Sequence, residues 1–190
     1  MDVAQLREVL GEPTELVKQK IADRLNSLTR QFVERSPFVV VATGRPDGGL
    51  DVSPRGDPAG FVRILDERTL LLPDRPGNKL ADTLTNLLED DRIALLFLIP
   101  GVDDTFRVNG RARIVDDPEL LAESAVEGKS PQLGILVTVE EAYTQCPKAL
   151  LRSELPRSGE ILRAVADPEL DVEEYEEVRT ERYERREGFY

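Results

Sequence analysis

Apolar residues recur at helical spacing from about Pro13 to Glu34, where Leu16, Val17, Ile21, Leu25, Leu28, Phe32 and Val33 fall on one stripe. That spacing predicts an amphipathic helix packed on one side. Ser36-Pro37 stops it, because a residue before proline is pushed out of helical backbone. Phe38 to Thr43 and Leu50 to Pro54, joined by Gly44-Arg45-Pro46-Asp47-Gly48-Gly49, predict a hairpin with a glycine turn. Phe61 to Leu65 and Thr69 to Leu72 predict a second hairpin around Asp66-Glu67-Arg68. Asn78 to Leu88 returns to helical period, with Leu80, Leu84, Leu87 and Leu88 apolar. Ile93 to Ile99 is a nearly unbroken apolar strand, and Pro100-Gly101 turns it into Thr105 to Val115. A short helix over Glu119 to Val126, a strand over Gly134 to Val139 and a helix opening near Pro147 complete the pattern.

Six or seven short strands in antiparallel succession, with one inserted helix, predict a mainly β fold with flanking helices. A closed barrel fits this order better than βαβ units do. The chain divides into a helical segment over 1–36, a barrel domain over 37–166 and an acidic tail over 167–190. The tail holds ten acidic and four basic residues, a net of −6, half of the −12 carried by the whole chain. It is poor in apolar side chains, so it is expected to contribute little to a core.

An overall charge of −12 argues against nucleic acid, which requires a basic stripe to displace counterions. It argues equally against an anionic membrane surface. The longest apolar run, Ile93 to Ile99, is too short to span a bilayer. A lone cysteine, Cys146, forbids an internal disulfide and suits a reducing compartment. A soluble cytoplasmic protein is expected, with Cys146 as a buried thiol. The chain has no histidine, which removes Ser-His-Asp and Cys-His catalysis, and one cysteine leaves no ordinary zinc site. No metal is expected. If the protein is an enzyme, a cofactor carries its chemistry.

Two segments concentrate that expectation. Ser53-Pro54-Arg55-Gly56-Asp57 closes one strand, and Asp74-Arg75-Pro76-Gly77-Asn78-Lys79 joins another to a helix. Backbone N–H groups at a helix start, the positive end of its dipole and nearby Arg and Lys make a site for a phosphate. Strand alternation puts Ser53 and Arg55 on one face, with Leu50, Val52 and Pro54 on the other. In the later strand Phe106, Val108, Gly110, Ala112 and Ile114 point inward, and Thr105, Arg107, Asn109, Arg111 and Arg113 point outward. Thr105 and Arg107, at the strand end nearest Pro100-Gly101, are expected to approach the Arg55 and Arg75 loops.

Leu50 to Asp57, the Gly60-Phe61 strand start, Leu70 to Lys79, the apolar strand and Phe106-Arg107-Val108-Asn109-Gly110-Arg111-Ala112 together resemble the pyridoxamine 5′-phosphate oxidase-like, FMN-binding split-barrel superfamily, within it a bacterial subgroup of FMN-dependent enzymes. The resemblance covers roughly Pro37 to Leu155, and its specificity lies in the order of the segments. It implies a split β-barrel, a homodimer with flavin at the subunit interface, and FMN as cofactor. F420, which some superfamily members use instead, is the alternative. Val52, Ser53, Pro54 and Arg55, leading into Gly56 and Asp57, match the strand along the flavin ring. Pro73, Asp74, Arg75, Asn78 and Lys79 match the region that holds ribityl and phosphate groups. The family's phosphate lysine aligns with Lys79, while Asn78 replaces a basic residue, leaving Arg75 or Arg55 to compensate. The strand from Thr105, including Arg107, matches the part that reaches the flavin across the dimer. The arginine- and histidine-containing C-terminal segment of true pyridoxamine 5′-phosphate oxidases has no counterpart. In its place Lys148 and Arg152, four residues apart, are the candidates to meet substrate. The implied activity is an FMN-dependent oxidoreductase with an unknown small-molecule substrate, with NAD(P)H as a candidate electron donor. A flavin-binding carrier or sensor without turnover is the other reading.

Overall fold

A computed structural model describes residues 1–153. Three helices, α1 (Val3–Leu10), α2 (Glu15–Gln19) and α3 (Ser27–Arg35), precede strands β1 (Phe38–Gly44), β2 (Leu50–Gly56), β3 (Arg63–Ile64) and β4 (Thr69–Pro73). Helix α4 (Asp82–Glu89) follows, then β5 (Arg92–Leu98), β6 (Thr105–Val115), α5 (Pro118–Ala122), β7 (Gly134–Gln145) and α6 (Lys148–Ser153). The acidic tail assigned to 167–190, and the end of the barrel domain beyond 153, lie outside the described residues. Among the described residues no helix is long and apolar enough to cross a membrane.

The seven strands make one antiparallel sheet in the order β2-β1-β5-β6-β7-β4-β3. Its edge strands, β2 and β3, have no ladder between them among the described residues, so the barrel is split rather than closed. The inner face is dry. Val39, Leu70, Phe97, Phe106, Val108 and Val137 are fully buried there. The Phe106 ring lies 5.9 Å from those of both Phe97 and Phe32, and Phe32 brings α3 onto the sheet.

The single long N-terminal helix is not found. Asn26 restarts the helix, accepting from the backbone of Leu28 and Thr29 while Thr29 Oγ1 accepts from Asn26 N–H, a reciprocal cap. Between α2 and α3, Ala22 and Ala142 exchange two backbone hydrogen bonds of 3.1 and 2.7 Å. This pairing with the β7 edge needs extended backbone, which a continuous helix forbids. It also lets Leu25 reach the core, whereas Val17, Ile21 and Leu28 stay on the surface. Helix α1 begins at Asp2 with its own reciprocal cap to Gln5 and ends at Gly11 (φ 73°); Asp2-Val3-Ala4-Gln5 was its signal in the sequence.

Two further differences follow from packing. β7 runs six residues past Val139, because β6 offers partners as far as Thr105, with a register shift at Asn109/Gly110. The helix expected from Asn78 starts only at Asp82, and its inward face carries buried Thr83 and Asn86 beside Leu87. Leu80 and Leu88 remain exposed.

Candidate functional site

The split in the barrel opens into a cleft of about 550 Å³. One wall is β2 from Asp51 to Gly56, and the other is the Pro73–Leu84 segment, with Phe61 at the base. The structure therefore brings together Val52, Ser53, Pro54, Arg55, Gly56, Pro73, Asp74, Arg75, Asn78 and Lys79. Asp57 stands behind them.

β2 alternates as expected, with Ser53 and Arg55 turned inward and Val52 64% exposed. Arg55 ties the two walls together. Its Nη1 donates to Ser53 Oγ and, at 2.9 Å, to the Pro54 carbonyl; its Nη2 donates to Thr83 Oγ1 on α4 at 3.2 Å. Behind this contact Asn86 Nδ2 donates to Thr43 Oγ1 at 3.0 Å, a buried bond fixing α4 to β1. Thr83, Asn86 and Thr43 were not foreseen as site supports. Their only signal is that they replace apolar residues on faces otherwise packed inward.

Arg75 differs from its expected role. Its Nε donates to Asp57 Oδ2 at 2.6 Å and its Nη2 to the Ser124 carbonyl at 2.8 Å. The side chains of Arg75 and Asp57 are only 15% and 2% exposed. Arg75 is thus a strut under the loop, its charge already balanced by a carboxylate.

Lys79 and Ala81 both adopt left-handed backbone, at φ 65° and 58°. Such conformations cost roughly 1–2 kcal/mol each for residues bearing a Cβ, and strain of this kind concentrates where backbone must present a particular face. Ala81 is the N-cap of α4 and provides no side-chain cap, so the first-turn N–H groups of that helix have no capping acceptor from its side chain. Asn78 Oδ1 accepts from Leu80 N–H, shaping the turn rather than adding charge. Lys79, exposed on the rim, is the cation nearest in sequence to this helix start.

Asp74 is half-buried in the same wall, its N–H donating to the Leu133 carbonyl at 2.9 Å. Burial pushes its carboxyl above the ordinary range, while Arg55, the Arg75 N–H and the Arg75 guanidinium pull it back. Because the folded value lies above the unfolded one, ionising Asp74 costs stability. That cost is absent below the ordinary carboxylate range and grows as pH rises through the folded value. Asp74→Asn is therefore expected to raise the melting temperature at neutral pH and to leave it unchanged near about pH 3, where both forms are neutral. Thermal scans at the two pH values check this; an equal shift at both would remove ionisation as the cause.

Thr105 and Arg107 do not line this cleft. The register explains why. Pro54, Val40, Leu96 and Arg107 are successive cross-strand partners and share the outer face, whereas Arg55, Val39, Phe97 and Phe106 share the inner one. Within one chain Arg107 and Arg55 thus stand on opposite faces of the sheet. Thr105, expected to point outward, is buried. The Arg107 guanidinium sits 4.5 Å from the Tyr143 ring centroid, and its Nε is buried without a hydrogen-bond partner. Lys148 and Arg152 are exposed on α6 and also lie outside the cleft lining. Cys146, expected to be buried, is exposed.

Comparison with known proteins agrees with this architecture. HupZ from Group A Streptococcus superposes with a TM-score of 0.53 at 15% identity, over 63% of this chain and 93% of that one. A protein of the pyridoxinephosphate oxidase family from Clostridium acetobutylicum, related to general stress protein 26, gives 0.48 at 16% identity, over 62% and 85%. An F420 reductase gives 0.45 at 17% identity, over 61% and 94%. At 15% identity the likeness to HupZ is one of fold. No curated protein matches the sequence. The family profile described as pyridoxamine 5′-phosphate oxidase matches residues 25–146, which takes in every strand of the sheet and both walls of the cleft. The chain belongs to the pyridoxamine 5′-phosphate oxidase family.

Proposed function

We propose that the cleft binds FMN and that the protein is an FMN-dependent oxidoreductase acting on a small molecule. The observation that carries this reading is the α4 start: left-handed Lys79 and Ala81, a helix N-terminus without a side-chain cap, and a lysine ammonium, all on one rim of the cleft. Such a terminus favours a phosphate through its N–H groups and its dipole. The residues fit the group. Lys79 and the α4 backbone would hold the phosphate. Asp74 and Asn78 offer oxygens to ribityl hydroxyls, and Ser53 to Arg55 would run beside the ring. Bound flavin would supply hydride transfer. Arg55, fixed by Ser53, Pro54 and Thr83, would place a positive charge beside the ring and favour its reduced anionic form.

A homodimer belongs to this reading. Leu50 and Val52 are 83% and 64% exposed on the outer face of β2. They continue across the sheet into Val40, Ala42, Ala94 and Leu96, an apolar surface that a second copy would cover. Arg107, whose Nε lacks an acceptor, borders this surface, which supports a role for it in the partner's site rather than its own.

Titration with FMN tests the site. A charge-assisted hydrogen bond contributes roughly 1.5–3 kcal/mol, so Lys79→Ala is expected to weaken FMN binding by about one to two decades. Wild-type affinity in that variant would remove the phosphate assignment. Sedimentation of the loaded protein is expected to give a dimer, and a flavin-loaded monomer would remove the shared site. Anaerobic NADH or NADPH should bleach the bound flavin; a flavin that stays oxidised with either donor would favour a carrier.

A further inference from the structure

The cleft carries little positive charge for a site that is to hold a phosphate dianion. Asp51, Asp74 and Asp82 line it together with Arg55, Arg75 and Lys79. Asp57 stands behind the lining and balances the charge of Arg75, which leaves three carboxylates facing two cations. A phosphate dianion in this space adds two negative charges to a surface on which acid already outnumbers base. Something must offset them.

Asp74 is the carboxylate least able to withdraw. Asp82 is exposed on the first turn of α4, where the helix dipole favours its charge. Asp51 belongs to β2, in the opposite wall. Asp74 is half-buried at the root of the loop that carries Lys79, and the backbone around it is pinned on both sides. Its N–H donates to the Leu133 carbonyl, Pro73 before it pairs with Gly134, and Arg75 after it is held by Asp57 and Ser124. The charges around it are Arg55 and Asp51 across the cleft, Arg75 and Lys79 in its own loop, Asp82 on α4 and Lys129 in the segment behind. Burial, the largest influence, opposes its ionised form, and Arg55 and Arg75 favour it. An anion arriving in the cleft acts in the same direction as burial. A proton on Asp74 relieves both, because a neutral carboxyl repels no anion and its O–H can donate to a phosphate or ribityl oxygen.

We propose that the cleft takes up its phosphate-bearing ligand together with a proton, held by Asp74, so that occupancy of the site falls as pH rises. The inference rests on the FMN reading of the cleft. The Asp74 carboxyl lies above the ordinary range in the protein alone, and a bound dianion raises it further. Proton uptake spans the window between those two values. Below the window Asp74 is neutral with or without ligand, and its opposition to binding vanishes. Above it the dianion binds against an ionised carboxylate, and the opposition is complete. The second proton of the phosphate itself, lost near about pH 6, acts in the opposite sense and is common to every variant of the protein.

Equilibrium titration of the full chain with FMN and with riboflavin, from pH 5 to pH 8, in wild type, Asp74→Asn and Asp74→Glu, tests it. The Asn variant is neutral at that position throughout. For FMN, the ratio of the wild-type dissociation constant to that of Asp74→Asn should grow about tenfold from pH 5 to pH 8, the effect of a one-unit shift on binding. Asp74→Glu should follow wild type. Calorimetry of FMN binding in buffers of different ionisation enthalpy should show more protons taken up by wild type than by Asp74→Asn. Riboflavin, which has no phosphate, should show neither difference. A ratio that stays within threefold, an equal growth with riboflavin, or a Glu variant that follows Asn would overturn the proton linkage and leave the FMN reading intact. A wild-type protein that binds FMN at no pH in the range would overturn both.

Discussion

Replacing Asp57 by alanine is expected to lower the free energy of unfolding by about 3 kcal/mol, the lower end for a buried pair, because it removes the carboxylate paired with the part-buried Arg75 guanidinium. The pair is short, 2.6 Å, and both side chains are nearly sealed from water. Arg75→Ala should cost a similar amount, since it removes the guanidinium paired with Asp57 and also releases the Ser124 carbonyl. Replacing both at once, as Asp57→Leu with Arg75→Met, should recover much of the loss, because two apolar side chains need no compensation for lost hydration. Urea denaturation measures all three, and the midpoint should move with little change in slope. If either single variant unfolds at the wild-type midpoint, the pair is not structural. The result also bears on function. Arg75 holds a wall of the cleft, so on the proposed FMN reading any binding lost by Arg75→Ala should track loss of folded structure. Flavin lost by Lys79→Ala should not.

Gly110→Ala should be about as damaging, for steric rather than electrostatic reasons. A Cβ at Gly110 would lie inside the contact distance of the Thr138 carbonyl oxygen and 3.0 Å from its carbon, both backbone atoms. A flexible side chain turns away from such a clash, but a strand held on both edges by β5 and β7 ladders cannot. This is the point where the β6–β7 register shifts, which lets β7 bend and continue to Gln145. Overpacking a tight position costs typically about 1–3 kcal/mol, and here the backbone itself must move, so a loss at or above the top of that range is expected. Gly48→Ala, in the open β1–β2 turn, provides the contrast: no atom lies within 4 Å of its Cβ, and only its φ of 84° opposes the change. Thermal unfolding of both variants should therefore show a much larger drop for Gly110→Ala. Equal drops would show that backbone conformation, not the close approach, decides both.

Most strands were legible because short apolar runs bounded by turn residues and charges stand out in the sequence. Phe38 to Thr43 and Ile93 to Ile99 were placed within a residue of β1 and β5. The end of β7 was missed, since Glu140 and Glu141 face solvent and hide the buried Ala142 that follows. The break at Ala22 was missed because local spacing favours one helix, and the competing β7 edge is more than a hundred residues away in the chain.

The same division separates the two halves of the site. By itself the sequence determined that a turn follows β4, because Pro76, Gly77 and Asn78 are turn formers. It also determined that no histidine or thiol pair carries the chemistry. Only the tertiary structure decided which cations remain for a ligand. Arg75 looks equivalent to Lys79 along the chain, yet folding places the buried Asp57 carboxylate against it, because a charge withdrawn from water persists only beside its counter-charge. Arg107 looks equivalent to Arg55 in the same way. Register alone puts them on opposite faces, since each residue along a strand reverses direction and each ladder preserves it. A charge in a sequence has a sign but no neighbours, and its neighbours are what the fold supplies.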